Sequence, residues 1–401
     1  MPRSYATDER NVFGYLAREF ESLEERPLSD VDSLVLACLS YYRLPPELKA
    51  ARTHEGASMT ELFRADWFEG MTLGLWDPEG LVRLLAGVAA SPRFRDVRAS
   101  DYADEFDVRA EKQFSACTLR LPTGDAYVSF RGTDNSLVGW KEDFNMAFET
   151  GVPSQRSALA YLERVAPTIP GRIYLGGHSK GGNLAVYAAS RCSEEVASRI
   201  ERAFSHDGPG FTEETLADEL WQDRAHLVSK TVPRSSLIGM LFERQESHVV
   251  VSSSETGVMQ HNPFSWVVKG IEFVRAEDLG RGASFLDDGL NEWISSLTNE
   301  EREGFVDTLF SVLHASGRST FADIVADWQV TFPAMLREVA KLDPEERSKI
   351  TGTLGRLARA FVPTFELPQA PAAEPGAIDL EALEQARTLI RSASGQGQQQ
   401  G

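Results

Sequence analysis

The sequence has few cysteines and no apolar run long enough to cross a membrane. Its three cysteines, Cys38, Cys117 and Cys192, lie far apart and show no Cys-x-x-Cys spacing. Neither a disulfide framework nor a zinc site is therefore predicted. The first residues lack the apolar segment of a secretory signal, and no stretch of about 18 uninterrupted apolar residues occurs. We expect a cytoplasmic protein without a transmembrane segment.

Positive charge is also scarce. The chain has 41 Lys and Arg residues against 60 Asp and Glu residues, which gives a formal net charge of -19. Binding to a nucleic-acid backbone requires clustered basic residues, and no such cluster is present, so a nucleic-acid partner is not expected. The acidic surface favours solubility and carries little information about a substrate.

Strand and helix patterns divide the chain into four segments. Helix-spaced apolar residues predict a helical lead-in over 1–105 that packs on the core. A hairpin over 116–130 and short strands near 173–175, 203–205, 227–229 and 249–251 alternate with helices, which indicates a mostly parallel sheet over 106–285. Residues 286–365 are predicted to form a C-terminal helical addition or cap. Residues 366–401 are predicted to form a linker, a short helix and a disordered tail.

One motif within the predicted sheet is typical of nucleophilic catalysis. Gly177-His178-Ser179-Lys180-Gly181 follows the apolar run Ile173–Leu175 and precedes a predicted helix. A nucleophilic serine on such a strand-to-helix turn needs small neighbours, which Gly177 and Gly181 supply. The pattern predicts an α/β-hydrolase fold with Ser179 as nucleophile. The backbone N–H of Lys180, at the helix N-terminus, can then donate to a developing oxyanion.

A second oxyanion donor is expected from the loop after an earlier strand. Phe130-Arg131-Gly132-Thr133-Asp134 occupies that place in the chain order, and Thr133 is the candidate, through its backbone N–H and its hydroxyl. A plain strand-terminating turn is the alternative. Trp140 and Asp143 are expected to support this loop.

These motifs together resemble the class 3, fungal-type lipases, and more closely a lipase-like bacterial family of unknown function. The further stretches that carry the resemblance are 25–36, Asp207-Gly208-Pro209-Gly210-Phe211 and the segment 257–266. The resemblance covers roughly residues 10 to 270. It implies an α/β-hydrolase fold and a Ser/His pair, and it does not imply a substrate.

The general base of this fold follows the nucleophile in the chain. His261 fits best because it lies in a loop beyond a strand, whereas His206, His226 and His248 are rivals. The acid is less defined. Class 3 lipases carry Asp-x-Val-Pro where this chain has Lys230-Thr231-Val232-Pro233, so their usual acid is missing. Asp207 is the candidate, with a turn-capping role as its alternative, and other acidic residues remain open: Asp223, Glu243 and Glu246.

The sequence thus predicts hydrolysis of an ester or thioester through an acyl-Ser179 intermediate, without a metal or an organic cofactor. The expected substrate is a small-molecule acyl ester or a lipid-like molecule. A non-catalytic binding or scaffold protein of the same fold is the alternative, because the acid is not placed by a motif. Fold analogy does not choose between an esterase, a thioesterase, an acyltransferase and a peptidase.

Overall fold

A computed structural model describes residues 9–134, 136–146, 151–234, 236, 239, 247–276, 299–318, 328–344, 346–348 and 350–351. The chain divides into two units, Met1–Glu303 and Gly304–Gly401. The predicted linker, short helix and tail at 366–401 lie outside the described residues, as do Glu243 and Glu246.

The first unit is built on an eight-stranded sheet whose strand order follows the chain. The strands β1 to β8 are Ala57–Ser58, Arg98–Asp107, Lys112–Arg120, Ala126–Phe130, Ile173–His178, Ile200–His206, Val228–Pro233 and His248–Val251. A separate two-stranded sheet pairs β9 (Val268–Lys269) with β10 (Glu272–Phe273).

The sheet changes direction at β4. Strands β1 to β4 pair antiparallel, and β4 to β8 pair parallel. The predicted hairpin and the mostly parallel sheet are thereby confirmed. β1 and most of β2 lie within residues 1–105, so the predicted helical lead-in also contains strands. Much of β2 is acidic and exposed, so it lacks the alternating apolar pattern that predicts a strand.

Helices of the first unit cover both faces of the sheet. The helices α1 to α11 are Val12–Leu16, Asp30–Leu39, Met59–Leu62, Phe68–Thr72, Pro78–Ala90, Leu137–Asn145, Pro153–Val165, Lys180–Arg191, Glu194–Ala197, Glu213–Ala217 and Glu219–Arg224. Parallel strands in sequential order, joined by right-handed crossovers, place the crossover helices on one face. Helices α7 and α8 pack there, and α2 contacts β4, β5 and β6 from the opposite face.

Neighbouring strand residues accordingly belong to different cores. Tyr127 and Tyr174 pack in the core that contains α2, while Val128 and Leu175 pack in the core that contains α7 and α8. This is the two-residue alternation of a strand whose two faces are both buried. The N-terminal helices therefore complete the sheet that carries the candidate site.

A buried ion pair holds the chain before α2. Arg93 and Asp32 are both fully buried, with 2.6 Å between Nη2 and Oδ2. Asp32 also caps α2 through Ser29 and accepts a hydrogen bond from Tyr15. Arg93 donates to the carbonyl oxygens of four residues in the preceding loop: Glu21, Ser22, Arg26 and Pro27. One guanidinium thereby fixes a loop that has little regular structure.

The second unit contains most of α12 (Asn299–His314) and all of α13 (Trp328–Val339). The buried side chains of α12 within this unit include Val306, Leu309, Phe310 and Leu313, whose spacing matches one helix face. The helical character predicted after residue 285 is found in these two segments. Among the described residues, no helix has the length and apolarity needed to cross a membrane.

Asp32→Ala is expected to lower the free energy of unfolding by about 3–5 kcal/mol, because the change leaves the Arg93 guanidinium buried without a counter-charge. Urea denaturation measures the loss. Asp66→Ala is the matched control, since it breaks the exposed Arg64–Asp66 pair and should leave the unfolding curve nearly unchanged. Equal curves for the two variants would contradict the role assigned to Asp32.

Candidate active site

Ser179 lies on a strained turn between β5 and α8. Its backbone has φ 58° and ψ -134°, a conformation that is costly for a residue with a side chain. The turn is fixed because the N–H of Ser179 donates to the carbonyl of His206 at 2.9 Å, at the end of the neighbouring strand. The side chain is held at the carboxyl edge of the sheet, where sites in α/β proteins form.

The two glycines of the motif are required by close backbone contacts. A Cβ atom on Gly177 would lie 2.3 Å from the carbonyl carbon of Gly181, and one on Gly181 would lie 2.1 Å from the carbonyl oxygen of Phe130. Real Cβ atoms do not approach backbone atoms so closely. The spacing of the motif therefore follows from the packing of α8 against the end of β4.

Three predicted side chains form one hydrogen-bonded row. The Nε2 atom of His261 lies 3.1 Å from Oγ of Ser179, and its Nδ1 atom lies 2.6 Å from Oδ2 of Asp207. Since a carboxylate can only accept, Nδ1 carries the proton and Nε2 is free to accept from the serine hydroxyl. Asp207 is fully buried and Ser179 is 8% exposed.

Strand register explains why Asp207 reaches the site. His178 of β5 is the register partner of His206 of β6, so Ser179 and Asp207 directly follow paired residues. Asp207 also has a positive φ, 53°, and its N–H donates to the carbonyl of Thr231 at 2.7 Å. The hydroxyl of Ser236 donates to Oδ1. Both carboxylate oxygens therefore have partners.

Asn183 supports the segment that follows Asp207. The side-chain amide of Asn183 donates to the carbonyl oxygens of Pro209 and Gly210, at 3.2 and 3.0 Å. Its Oδ1 accepts from Gln155 at 2.8 Å. The helix that follows Ser179 is thus hydrogen-bonded to the segment that follows Asp207.

The predicted oxyanion loop lies against the turn at Ser179. A Cβ atom on Gly132 would lie 2.6 Å from the carbonyl oxygen of His178. The hydroxyl of Thr133 donates to Oδ2 of Asp143, on α6, as expected for a residue that supports this loop. Lys180 is the first residue of α8, so its N–H lies at the helix N-terminus.

The Lys180 side chain has a role that the sequence did not indicate. Its ammonium group is fully buried and lies 2.7 Å from Oε2 of Glu142. It also donates to the backbone carbonyl of Gln113 at 2.8 Å, while Glu142 accepts from the N–H groups of Gln113 and Ser154. This buried pair connects α6, which carries Asp143, to the residue that follows Ser179.

The rival histidines lie elsewhere. His206 is buried and contacts Ser33 at 2.8 Å, and burial lowers its pKa to about 3. His226 is exposed on a turn near Asp223, which is exposed as well. His248 begins β8. Tyr41, which contacts His178, and Glu142 were missed, because no local pattern marks either residue.

No group of three or more His, Cys, Asp or Glu side chains is arranged to hold a metal ion within the part of the chain that the structure describes. The three cysteines are buried and unpaired. Burial raises the pKa of Cys117 to about 12, so its thiol stays protonated at neutral pH.

A mostly parallel sheet with helices on both faces and a serine on a strand-to-helix turn defines a lipase-like α/β-hydrolase fold. The sequence matches the model of the Mbeg1-like family over residues 88–311, more than half of the chain. The protein therefore belongs to the Mbeg1-like family.

Solved structures similar to this chain include three fungal lipases. The Yarrowia lipolytica Lip2 lipase is 14% identical, with 64% of this chain and 86% of that chain covered and a TM-score of 0.35. The Rhizopus microsporus var. chinensis lipase is 14% identical, with coverages of 56% and 85% and a TM-score of 0.32. The Rhizomucor miehei lipase propeptide complex is 13% identical, with coverages of 51% and 67% and a TM-score of 0.31. No curated protein sequence matches significantly.

Asp143 should make stability depend on pH. Burial raises the pKa of its carboxyl from 3.8 to about 7, against the opposing effects of Lys180 and the Thr133 hydroxyl. Between these pH values the folded protein binds a proton that the unfolded chain releases, so this carboxyl makes stability fall as pH rises. Asp143→Asn does not titrate. The melting temperature of the wild type relative to this variant should therefore fall from about pH 4 to about pH 7. A constant difference would contradict the raised pKa.

Proposed function

We propose that the protein is a serine hydrolase that cleaves an ester or thioester through an acyl-Ser179 intermediate. The observation that carries the proposal is the hydrogen-bonded row Asp207–His261–Ser179 beside a strained nucleophile turn. Backbone strain of this kind is retained where the surrounding structure forces it, and it places a reactive side chain at the end of a strand.

In the first half-reaction, Oγ of Ser179 attacks the carbonyl carbon of the substrate, and its proton passes to Nε2 of His261. The carbonyl oxygen becomes an oxyanion. Collapse of the tetrahedral intermediate breaks the bond to the leaving alkoxide or thiolate, which takes the proton from Nε2. Asp207 stabilises the imidazolium that exists between these proton transfers.

In the second half-reaction, water attacks the acyl-serine and gives a proton to Nε2 of His261. The second tetrahedral intermediate releases the carboxylic acid product, and the proton returns to Oγ of Ser179. No metal or organic cofactor enters either half-reaction. The proposed substrate class is a small-molecule acyl ester or a lipid-like molecule.

Two backbone N–H groups would stabilise the oxyanion. The N–H of Lys180 is one proposed donor, and the backbone N–H of Thr133 is the other. The hydroxyl of Thr133 already donates to Asp143. The backbone N–H is therefore the more direct contribution of Thr133, and the hydroxyl contact orients the loop.

The non-catalytic alternative rests on the missing acid near Val232. The contact between Asp207 and His261 removes that basis, because it supplies a buried carboxylate at the base. No described feature favours a scaffold role over catalysis.

Ser179→Ala should abolish labelling by a fluorophosphonate probe and hydrolysis of p-nitrophenyl esters, because the acyl or phosphonyl acceptor is lost. Melting temperature should change little, since the variant removes only one oxygen at a turn that backbone contacts maintain. Ser205→Ala, on the neighbouring strand, is the control and should keep labelling. Labelling that persists in Ser179→Ala would refute the nucleophile assignment.

Asp207→Asn should lower kcat by up to about 10⁴-fold, as loss of the carboxylate does in serine proteases, because an amide favours the wrong imidazole tautomer. His261→Ala should give a loss of similar or larger size. Asp223→Asn is the matched control on an exposed residue and should leave kcat unchanged. Normal turnover per folded molecule in Asp207→Asn would assign Asp207 a turn-capping role instead.

A further inference from the structure

His178, the residue before the nucleophile, is hydrogen-bonded on both ring nitrogens. Nδ1 lies 2.8 Å from the hydroxyl oxygen of Tyr41, and Nε2 lies 2.8 Å from the backbone carbonyl oxygen of His261. Tyr41 is 1% exposed and His178 is 2% exposed. A buried side chain from the N-terminal segment is thus connected, through His178, to the backbone of the proposed base.

The hydrogen-bonding capacity of each group determines which atom donates and which accepts. A carbonyl oxygen can only accept, so Nε2 of His178 must carry the proton. A neutral imidazole has one N–H, so Nδ1 accepts, and the hydroxyl of Tyr41 must donate. Burial holds the pKa of His178 well below its usual range and raises that of Tyr41. Both groups therefore remain neutral around pH 7.

The backbone carbonyl before that of His261 is held in a similar way. His261 ends a short 3₁₀ turn, Gly257–His261, outside the sheet. The preceding carbonyl, of Gln260, accepts from the indole N–H of Trp266 at 2.8 Å. Two successive carbonyls of the turn are therefore held by buried ring donors. Such contacts fix the peptide plane, and hence the direction of the His261 side chain.

We propose that Tyr41 and His178 are positioning residues that hold the backbone of His261 so that its imidazole stays between Asp207 and Ser179. The proposal rests on the proposed function, because it concerns the placement of the base in that reaction. Neither residue exchanges a proton with substrate. They act only through the peptide group of His261.

Neutrality of His178 matters for this role. The ring centroids of His178 and His261 are 4.6 Å apart. During each half-reaction His261 becomes a cation, and a second cation at this distance would oppose its formation. After burial, the titratable neighbours that lower the pKa of His178 are His261 and His206. Tyr41 keeps Nδ1 as an acceptor, which preserves the tautomer that donates to His261.

Tyr41 also touches the oxyanion loop. A Cβ atom on Gly132 would lie 2.3 Å from its hydroxyl oxygen. The same hydroxyl therefore lies against the residue before Thr133 and against the ring that holds the base. Because a side chain at residue 132 would collide with this hydroxyl, the loop needs a glycine there.

The main test is Tyr41→Phe, with Tyr42→Phe as the matched control. Tyr42 is equally buried, and its hydroxyl donates to the carbonyl of Leu81 at 2.6 Å, within the core that contains α2 and α5. Both variants lose one buried hydroxyl. Tyr41→Phe should lower kcat on a p-nitrophenyl ester roughly tenfold to a hundredfold, the cost of a misplaced reacting group, with KM little changed. Tyr42→Phe should keep the wild-type kcat.

A second pair of variants tests whether the hydrogen bonds of His178, rather than its imidazole ring as such, are required. Gln at position 178 carries both a donor and an acceptor, whereas Leu carries neither. His178→Gln should therefore recover much of the kcat lost in His178→Leu. Equal kcat values in Tyr41→Phe and Tyr42→Phe, or no recovery in His178→Gln, would overturn the positioning role.

The tautomer can be measured without turnover. Long-range ¹H–¹⁵N NMR on histidine-labelled protein should show His178 as the neutral Nε2–H form, unchanged between about pH 5 and about pH 8. A titrating signal or the Nδ1–H form would overturn the inference. A wild-type protein that neither reacts with the probe nor cleaves esters would refute the proposed function. A reactive wild type with an unaffected Tyr41→Phe variant would refute only the positioning role.

Discussion

The strained turn at Ser179 is the constraint on which the rest of the site depends. A positive φ at a serine persists only where neighbouring atoms leave no other path for the chain. Here the sheet supplies that constraint. The N–H of Ser179 is hydrogen-bonded to β6, and the two glycines of the motif allow α8 to approach β4. Any residue that contacts the side chain of Ser179 must therefore lie at the carboxyl end of β5.

The sequential strand order determines which parts of the chain can reach this edge. Crossover helices cover one face, so the other face needs helices from outside the crossovers. Helix α2 fills that place against β4 to β6. The residues just after α2 therefore lie close to the turn at Ser179, and Tyr41 contacts His178 there. The N-terminal segment contributes to the geometry of the site as well as to the core.

The sequence predicts the parts of the site that local patterns or chain order describe. Ser179 is predicted from a five-residue motif, and chain order makes His261 and Asp207 candidates among several histidines and acidic residues. The contact between Tyr41 and His178 joins residues 137 positions apart, and that between Lys180 and Glu142 spans 38 positions. Neither pair has a local signature, since a buried tyrosine and a helical glutamate look like ordinary core and surface residues.

The proposed acid, Asp207, does not stand at the chain position where class 3 lipases carry theirs. Class 3 lipases carry an aspartate where this chain has Lys230, inside β7, whereas the carboxylate that meets His261 here follows β6. Because β5 and β6 are adjacent, Asp207 directly follows the register partner of His178, and one imidazole can span the distance to Ser179. The segment after Val232 and Pro233 still contributes, since Ser236 donates to the other carboxylate oxygen. Asp207 thus approaches His261 from the end of β6, and the loop after β7 supports its carboxylate through Ser236.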